Sequence, residues 1–287
     1  MISPITLKIV VIGVGIIGPR HAHHVNTNPH TELFGIVDPG TAGPTVAAEF
    51  GVPHFNSINS MVQWCTENNV PLPDGAIVCT PNHTHVKIAA ELASHRINLL
   101  VEKPISPKPE EAVALKKYVE KQGVKLLVGH HRRFNPHIVA TKANLDKVGR
   151  IIAVQGTWTL HKPAEYFESA AWRTDISTGG GVLMINLIHD IDLLQYMFGP
   201  IERVYAELLS KEKTQYPNLD EGAALTVRFV NGICGTFICS DNVTSPFNFE
   251  SSTGENPTIP YHEDVEGLYR VFGTHGTLSV PDFTLYH

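Results

Sequence analysis

A glycine-rich turn directly behind a buried strand is the strongest constraint in this chain of 287 residues. Leu7-Lys-Ile-Val-Val-Ile12 is a near-continuous β-branched run, the pattern of a strand covered on both faces. Gly13-Val-Gly15-Ile-Ile-Gly18 follows at once and opens a helical pattern. In that setting the glycines supply a tight turn, room for a pyrophosphate at the backbone, and close helix–strand packing. The helix start offers unpaired N–H groups and a partial positive charge to phosphates. Pro19 fits its first turn, where the missing N–H removes no helical bond. A second strand-like run, Leu33-Phe-Gly-Ile-Val-Asp38, ends on an acid twenty residues beyond Gly18, the spacing of a ribose-binding carboxylate. These parts in register predict a dinucleotide site. The rival reading is a Gly-rich turn plus an ordinary strand-end aspartate.

Asp38 also bears on the choice of dinucleotide. A carboxylate accepts from a 2′-OH and repels a 2′-phosphate, and Pro39-Gly-Thr-Ala-Gly43 contains no Lys or Arg to neutralise one. NAD(H) is therefore expected over NADP(H).

The same grammar continues to residue 128. Short apolar runs at 75–80, 98–102 and 125–129 alternate with helical patterns at 17–26, 45–50, 60–68, 85–95 and 109–122. That alternation indicates βαβ crossovers and a doubly wound parallel sheet, an α/β Rossmann domain over residues 1–128. Val86, Ala89, Ala90 and Ala93 form an amphipathic stripe suited to packing on it. From residue 129 the period changes. Ile152, Val154, Gly156, Trp158 and Leu160 alternate with polar or small residues; so do Ala223, Leu225, Val227 and Phe229, and Asn231-Gly232 leads into a hairpin partner at 232–241. Further strands are expected at 202–209 and 267–280, and one strong helix at 181–198. Residues 129–287 therefore read as an α+β domain with a large, mostly antiparallel sheet. No Ser/Gly-rich linker separates the two regions.

Composition removes several function classes. Lys+Arg number 22 against 28 Asp+Glu, a net charge of −6, which argues against a nucleic-acid binder that must neutralise phosphates. No apolar run approaches the ~18–20 residues needed to cross a bilayer, so no membrane span is expected. The first eight residues lack the basic–apolar–small layout of a signal peptide. Cys65, Cys79, Cys234 and Cys239 lie in apolar surroundings without paired spacing, as buried reduced thiols of a cytoplasmic protein would. His21, His23, His24, His130 and His131 have neither Cys partners nor a zinc-type spacing, so no metal is expected.

Three further segments carry a family resemblance. Ala76-Ile-Val-Cys-Thr-Pro-Asn-His-Thr-His85, Val101-Glu-Lys-Pro104 and Gly179-Gly-Gly-Val-Leu-Met-Ile-Asn-Leu-Ile-His-Asp-Ile-Asp192 resemble the glucose–fructose oxidoreductase / inositol dehydrogenase (Gfo/Idh/MocA) family. Gly129-His-His-Arg-Arg-Phe-Asn-Pro136 and Trp172-Arg173 are similar to its members as well. The resemblance implies NAD(P)-dependent oxidation or reduction of sugars and polyols, and oligomers, a homodimer or homotetramer, formed through the open sheet face. It places cofactor contacts on Gly13, Gly15, Ile16, Ile17, Gly18, Asp38, Thr80, Pro81, Asn82, His85, Glu102 and Lys103. Lys103, His189 and Asn186 become the catalytic candidates, and Arg132, Trp172, Arg173, Asn186 and His189 the substrate contacts.

The chemistry of these residues is also readable on its own. Thr80, Asn82 and Lys103 follow strands at the edge where doubly wound sheets hold ligands. Lys103 can stabilise negative charge on a reacting oxygen, although a strand-end lysine is more often simply solvated. His189, with an unperturbed pKa of ~6.5, suits proton transfer near neutrality; a core histidine is the rival. Asn186, His189 and Asp192, spaced by three, are expected on one broad helix face. Arg132 and Arg133 suit a carboxylate or phosphate, or equally a salt bridge. Tyr166 and His161 are secondary pocket candidates. In one respect the chain departs from the family: Ile185 stands where members commonly carry Asp, four residues before the histidine, and Asp192 is the available substitute carboxylate. That departure keeps a second reading open, a non-catalytic NAD-binding sensor on the same fold. A third is a lyase or racemase with internal redox recycling.

Overall fold

The computed structural model describes residues 6–287; Met1 to Ile5, part of the opening stretch read above for a signal-peptide layout, lie outside the described residues. The chain forms two compact units, the first ending at Gly129 and the second spanning His130–His287.

In the first unit β1 (Leu7–Ile12), α1 (Gly18–Thr27), β2 (Thr31–Val37), α2 (Ala42–Phe50), β3 (His54–Phe55), α3 (Ile58–Glu67), β4 (Gly75–Val78), α4 (His85–Ser94), β5 (Asn98–Val101), α5 (Pro109–Gln122) and β6 (Leu126–Val128) alternate. The strands pair in the order β3-β2-β1-β4-β5-β6, parallel throughout. The chain reverses its lateral direction between β1 and β4, so the crevice for a ligand lies beyond the carboxyl ends of those two strands. Val10, Val11, Ile12 and Val78 are sealed between helices on both faces, which is why these strands read as unbroken apolar runs. Only β3, two residues long, gives no periodic signal in the sequence.

The second unit contains α6 (Pro136–Ala143), β7 (Ile151–Thr159), α7 (Ala164–Glu168), α8 (Ile188–Phe198), β8 (Ile201–Leu208), β9 (Gly222–Phe229), β10 (Cys234–Ser240), α9 (Phe249–Thr253), β11 (Tyr269–Gly273), β12 (Thr277–Val280) and β13 (Leu285–Tyr286). Its seven-stranded sheet runs β13-β12-β11-β7-β10-β9-β8. Every pairing is antiparallel except β7 with β10. One face packs on α8: Val154, Trp158, Leu225, Val227, Phe229 and Phe237 meet Leu193, Leu194 and Met197. The alternation expected for β7 and β9 is what this one-sided burial produces.

The expected 202–209 strand is present as β8; it is exposed along nearly its whole length, because of its residues only Ile201 packs on the core, and Val204, Tyr205 and Leu208 are each more than half exposed. Two expectations need correction. The expected helix at 181–198 begins as a π-helical turn, Leu183–Leu187, before α8. The widened turn breaks the uniform spacing of Asn186 and His189. Cys234 is only partly buried, beside Arg228, unlike the three other thiols. No helix among the described residues is long and apolar enough to cross a membrane.

Gly156 illustrates how tightly the second core is packed. A Cβ there would lie 2.6 Å from the Phe237 ring and 3.0 Å from the Tyr269 ring, both almost wholly buried. Gly156→Ala is expected to lower stability by about 1–3 kcal/mol through overpacking. Urea denaturation of the two proteins measures this, and an unchanged midpoint contradicts the packing account.

Candidate active site

The turn after β1 is built by close backbone approaches. Gly13 has φ +86°, a conformation that favours glycine, and a Cβ there would meet Thr80 Cγ2 at 2.8 Å. A Cβ on Gly18 would sit 2.1 Å from the Gly13 carbonyl oxygen, so the start of α1 lies directly on the turn. Around Gly15 nothing lies within 4 Å of a Cβ position, and Gly15 and its neighbour Ile16 are exposed. The glycines thus divide their work: Gly13 and Gly18 close the turn, and Gly15 leaves an open cradle at a helix N-terminus that fits a phosphate. Ile17 is half-buried against the first core.

Asp38, just beyond β2, reaches back to this turn. Its Oδ2 accepts from Val14 N–H at 2.8 Å and its Oδ1 from Gly40 N–H at 2.7 Å. Each oxygen keeps lone-pair capacity for a ribose hydroxyl. On the next strands, Thr80, Pro81 and Asn82 form the bend into α4, closed by Thr84 Oγ1 donating to Thr80 Oγ1 at 2.7 Å. Lys103 and Glu102 follow β5, and the Lys103-Pro104 bond is cis. Glu102 accepts from His21 Nε2 at 2.7 Å and from the Lys103 N–H at 3.2 Å. Burial raises the Glu102 carboxyl, but the His21 hydrogen bond and the charges of His21 and Lys103 outweigh it and hold it below the usual glutamate value.

His85 departs from its expected role. It is fully buried, and its Nδ1 and Nε2 lie 2.8 and 2.7 Å from the carbonyl oxygens of Pro104 and Thr80. A neutral imidazole has one N–H, so His85 donates to one of these carbonyls and packs its other nitrogen against the second, filling the space between the β4 and β5 ends. Burial also lowers its pKa against these hydrogen bonds.

In the second unit, His189 is buried on α8 and its ring packs edge-on against His131, centroids 5.2 Å apart. His131 in turn donates from Nε2 to Glu255 at 2.7 Å. Asp192 binds Arg133 through both oxygens, with His130 Nδ1 3.7 Å away. The substitute carboxylate is thus engaged by an arginine. Asn186, displaced by the π turn, faces a different neighbour, Lys162, whose Nζ donates to Asn186 Oδ1 at 2.5 Å. Arg173 stacks 4.1 Å from the Tyr166 ring centroid and donates to the Tyr166 carbonyl at 2.6 Å, while Trp172 lies 5.7 Å from its guanidinium.

Arg132 is corrected from a substrate contact to a buried ion-pair centre. Its side chain is 3% exposed and lies 2.5 Å from Glu250, 3.5 Å from Glu255 and 3.7 Å from Asp190. Trp158 Nε1 donates to the second oxygen of Glu250 at 2.8 Å, and the Tyr269 hydroxyl donates to Asp190. Burial pushes the Asp190 carboxyl up to about 7 although Arg132 and Tyr269 pull it down. Glu250, Glu255, His131 and Lys162 were not legible as a site, since their partners lie far away in sequence. The one local signal is Tyr166, four residues after Lys162. Arg132→Met is expected to cost about 3–5 kcal/mol, because it strands carboxylates away from water. A loss below 1 kcal/mol in urea unfolding contradicts that role.

Comparison with known proteins places this geometry. Residues 7–130 match the model of the GFO_IDH_MocA oxidoreductase family, NAD-binding Rossmann fold, and residues 143–279 match the GFO/IDH/MocA C-terminal domain. The chain is 29% identical over 199 residues to the inositol 2-dehydrogenase of Rhizobium meliloti, covering 68% of this chain and 56% of that protein. It is 29% identical over 287 residues to the scyllo-inositol 2-dehydrogenase (NAD(+)) of Bacillus subtilis, covering 96% and 73%. Among solved structures, the WlbA dehydrogenase of Bordetella pertussis in complex with NADH and UDP-GlcNAcA superposes with a TM-score of 0.79 at 23% identity, over 98% of this chain and 75% of that one. The chain spans about three fifths of the length of several of these curated relatives.

Proposed function

The chain belongs to the Gfo/Idh/MocA family of oxidoreductases, and from that premise we propose that it transfers hydride between NAD(H) and a sugar, polyol or related hydroxy or keto compound. The observation that carries the proposal is the Asp38 carboxylate anchored to the Gly13–Gly18 turn beside the open space at Gly15. A bound nicotinamide supplies a hydride donor or acceptor at its C4. The chain's own groups do the rest. The backbone at Gly15 and the N-terminus of α1 take the pyrophosphate, and Asp38 accepts from the adenosine ribose. Thr80, Pro81, Asn82 and Glu102 line the cofactor side of the strand edge. The Lys103 ammonium stabilises negative charge on the substrate oxygen. His189, shielded from water, takes the hydroxyl proton on oxidation and returns it on reduction. Trp172 and Arg173 contact the sugar, and the exposed β8 face serves assembly into a dimer or tetramer.

Support comes from the relatives, inositol dehydrogenases among them. Ile185 favours a second reading, an NAD-binding sensor, since it leaves the motif without its usual carboxylate. Hydride transfer by the unsubstituted chain, absent from a sensor, separates the two, and as an enzyme the Lys103→Ala variant keeps NADH binding but loses about 100-fold or more in turnover. Unchanged turnover in a polyol assay at 340 nm removes the catalytic role of Lys103. NADH is expected to bind about tenfold or more tighter than NADPH, the scale of one charge-assisted hydrogen bond. Equal or inverted affinities in fluorescence titration overturn the part given to Asp38.

A further inference from the structure

We infer that Lys162 is a positioning residue that decides which end of the Asn186 amide a substrate meets, so that this site recognises an oxygen that accepts a hydrogen bond, carboxylate or carbonyl. The inference rests on the reading of Asn186 as a substrate contact. An ammonium group donates three hydrogen bonds and accepts none. The Asn186 atom 2.5 Å from Lys162 Nζ is therefore the oxygen, and the orientation of the amide follows from chemistry rather than choice. What remains for a ligand is Nδ2 with two N–H donors, and it meets no protein acceptor among the described residues. Accepting from a cation also polarises the amide and strengthens those donors.

Lys162 is well placed to hold this orientation. It is only 7% exposed, and its Nζ lies 4.5 Å from the Tyr166 ring centroid and 5.6 Å from that of Trp158. Aromatic faces of this kind retain a desolvated cation. Asp241 lies close by as well: its carboxyl, raised by burial, accepts from Lys213 at 2.8 Å and is also pulled down by the Lys162 charge, while Glu221 is 3.7 Å from Lys213. An independent observation points the same way. Arg173 occupies the same Tyr166 ring, and its Nε, a donor only, is sealed from water without a hydrogen-bond partner. Ile185 brings an apolar side chain with no acceptor to offer. Asn186 Nδ2 and Arg173 Nε thus offer donors where an aspartate would have presented a carboxylate, while Asp220 and Asp241 are engaged by the Leu183 N–H and by Lys213.

The test is calorimetric titration of the full chain, with NADH present, using two matched pairs: D-glucuronate against D-glucose, and 2-keto-myo-inositol against myo-inositol. The member whose oxygen only accepts, carboxylate or carbonyl, should in at least one pair bind about tenfold or more tighter than its hydroxyl partner, whose O–H must also find an acceptor; the pair that shows it tells carboxylate from carbonyl. Lys162→Met releases the amide to rotate and should bring that ratio to within about twofold of unity, while Lys162→Arg retains it. Asn186→Asp should reverse it. Equal, undetectable or hydroxyl-favouring binding in both pairs overturns the inference, as does an unchanged ratio in Lys162→Met. Hydride transfer without the preference sinks this inference alone; the preference without hydride transfer sinks the proposed reaction alone.

Discussion

Asp38 joins two parts of the first unit that the chain separates by a helix. Its carboxylate is hydrogen-bonded to the Val14 N–H within the glycine turn and to the Gly40 N–H of its own loop. The backbone supports the same closure, with Gly13 N–H bonded to the Val37 carbonyl at 2.8 Å. With no Cβ at Gly13 or Gly18, the turn, the β4 end at Thr80 and the first residue of α1 come within van der Waals reach. The order β3-β2-β1-β4-β5-β6 then brings the ends of β4 and β5 beside this turn, and His85 is buried between the Thr80 and Pro104 carbonyls that follow them. Along the candidate cofactor edge, each strand end therefore has a contact to its neighbour.

The second unit obeys a different constraint. It buries several charges under a sheet that is apolar on that side, and such groups persist only when paired. Arg132 gathers Glu250, Glu255 and Asp190, and Lys213 gathers Asp241 and Glu221. Asp220 accepts from the Leu183 N–H at 2.8 Å and so meets the start of the π turn that carries Asn186. The candidate substrate residues sit among these pairs. Their side chains meet whichever group the fold places next to them: Asn186 accepts from Lys162, His189 packs edge-on against His131, and Asp192 pairs with Arg133, although the three are equally spaced in the chain.

Much of this architecture was legible in the chain itself. Period and turn chemistry are local properties: the buried runs of β1 and β4, the alternation of β7 and β9, the Asn231-Gly232 hairpin and the glycine turn with Asp38 all announce themselves within a few residues. Elements failed to show where locality fails. β3 has two residues, the π turn has no compositional mark, and the exposure of β8 depends on what the core leaves uncovered. His85 looked like a ligand contact because motif position says nothing about which carbonyls lie beside a ring. Arg132 looked like a substrate anchor because its carboxylate partners are some 60 to 120 residues away.

The sequence by itself determined the class of both units and the position of the glycine turn, because hydrophobic period, glycine placement and strand-end residues act through nearest neighbours along the chain. The tertiary structure alone decided which polar side chains are committed and which face outward. Ion pairs and ring contacts form between residues distant in sequence, and in a buried setting the counter-charge that happens to be adjacent dictates what each group has left to offer.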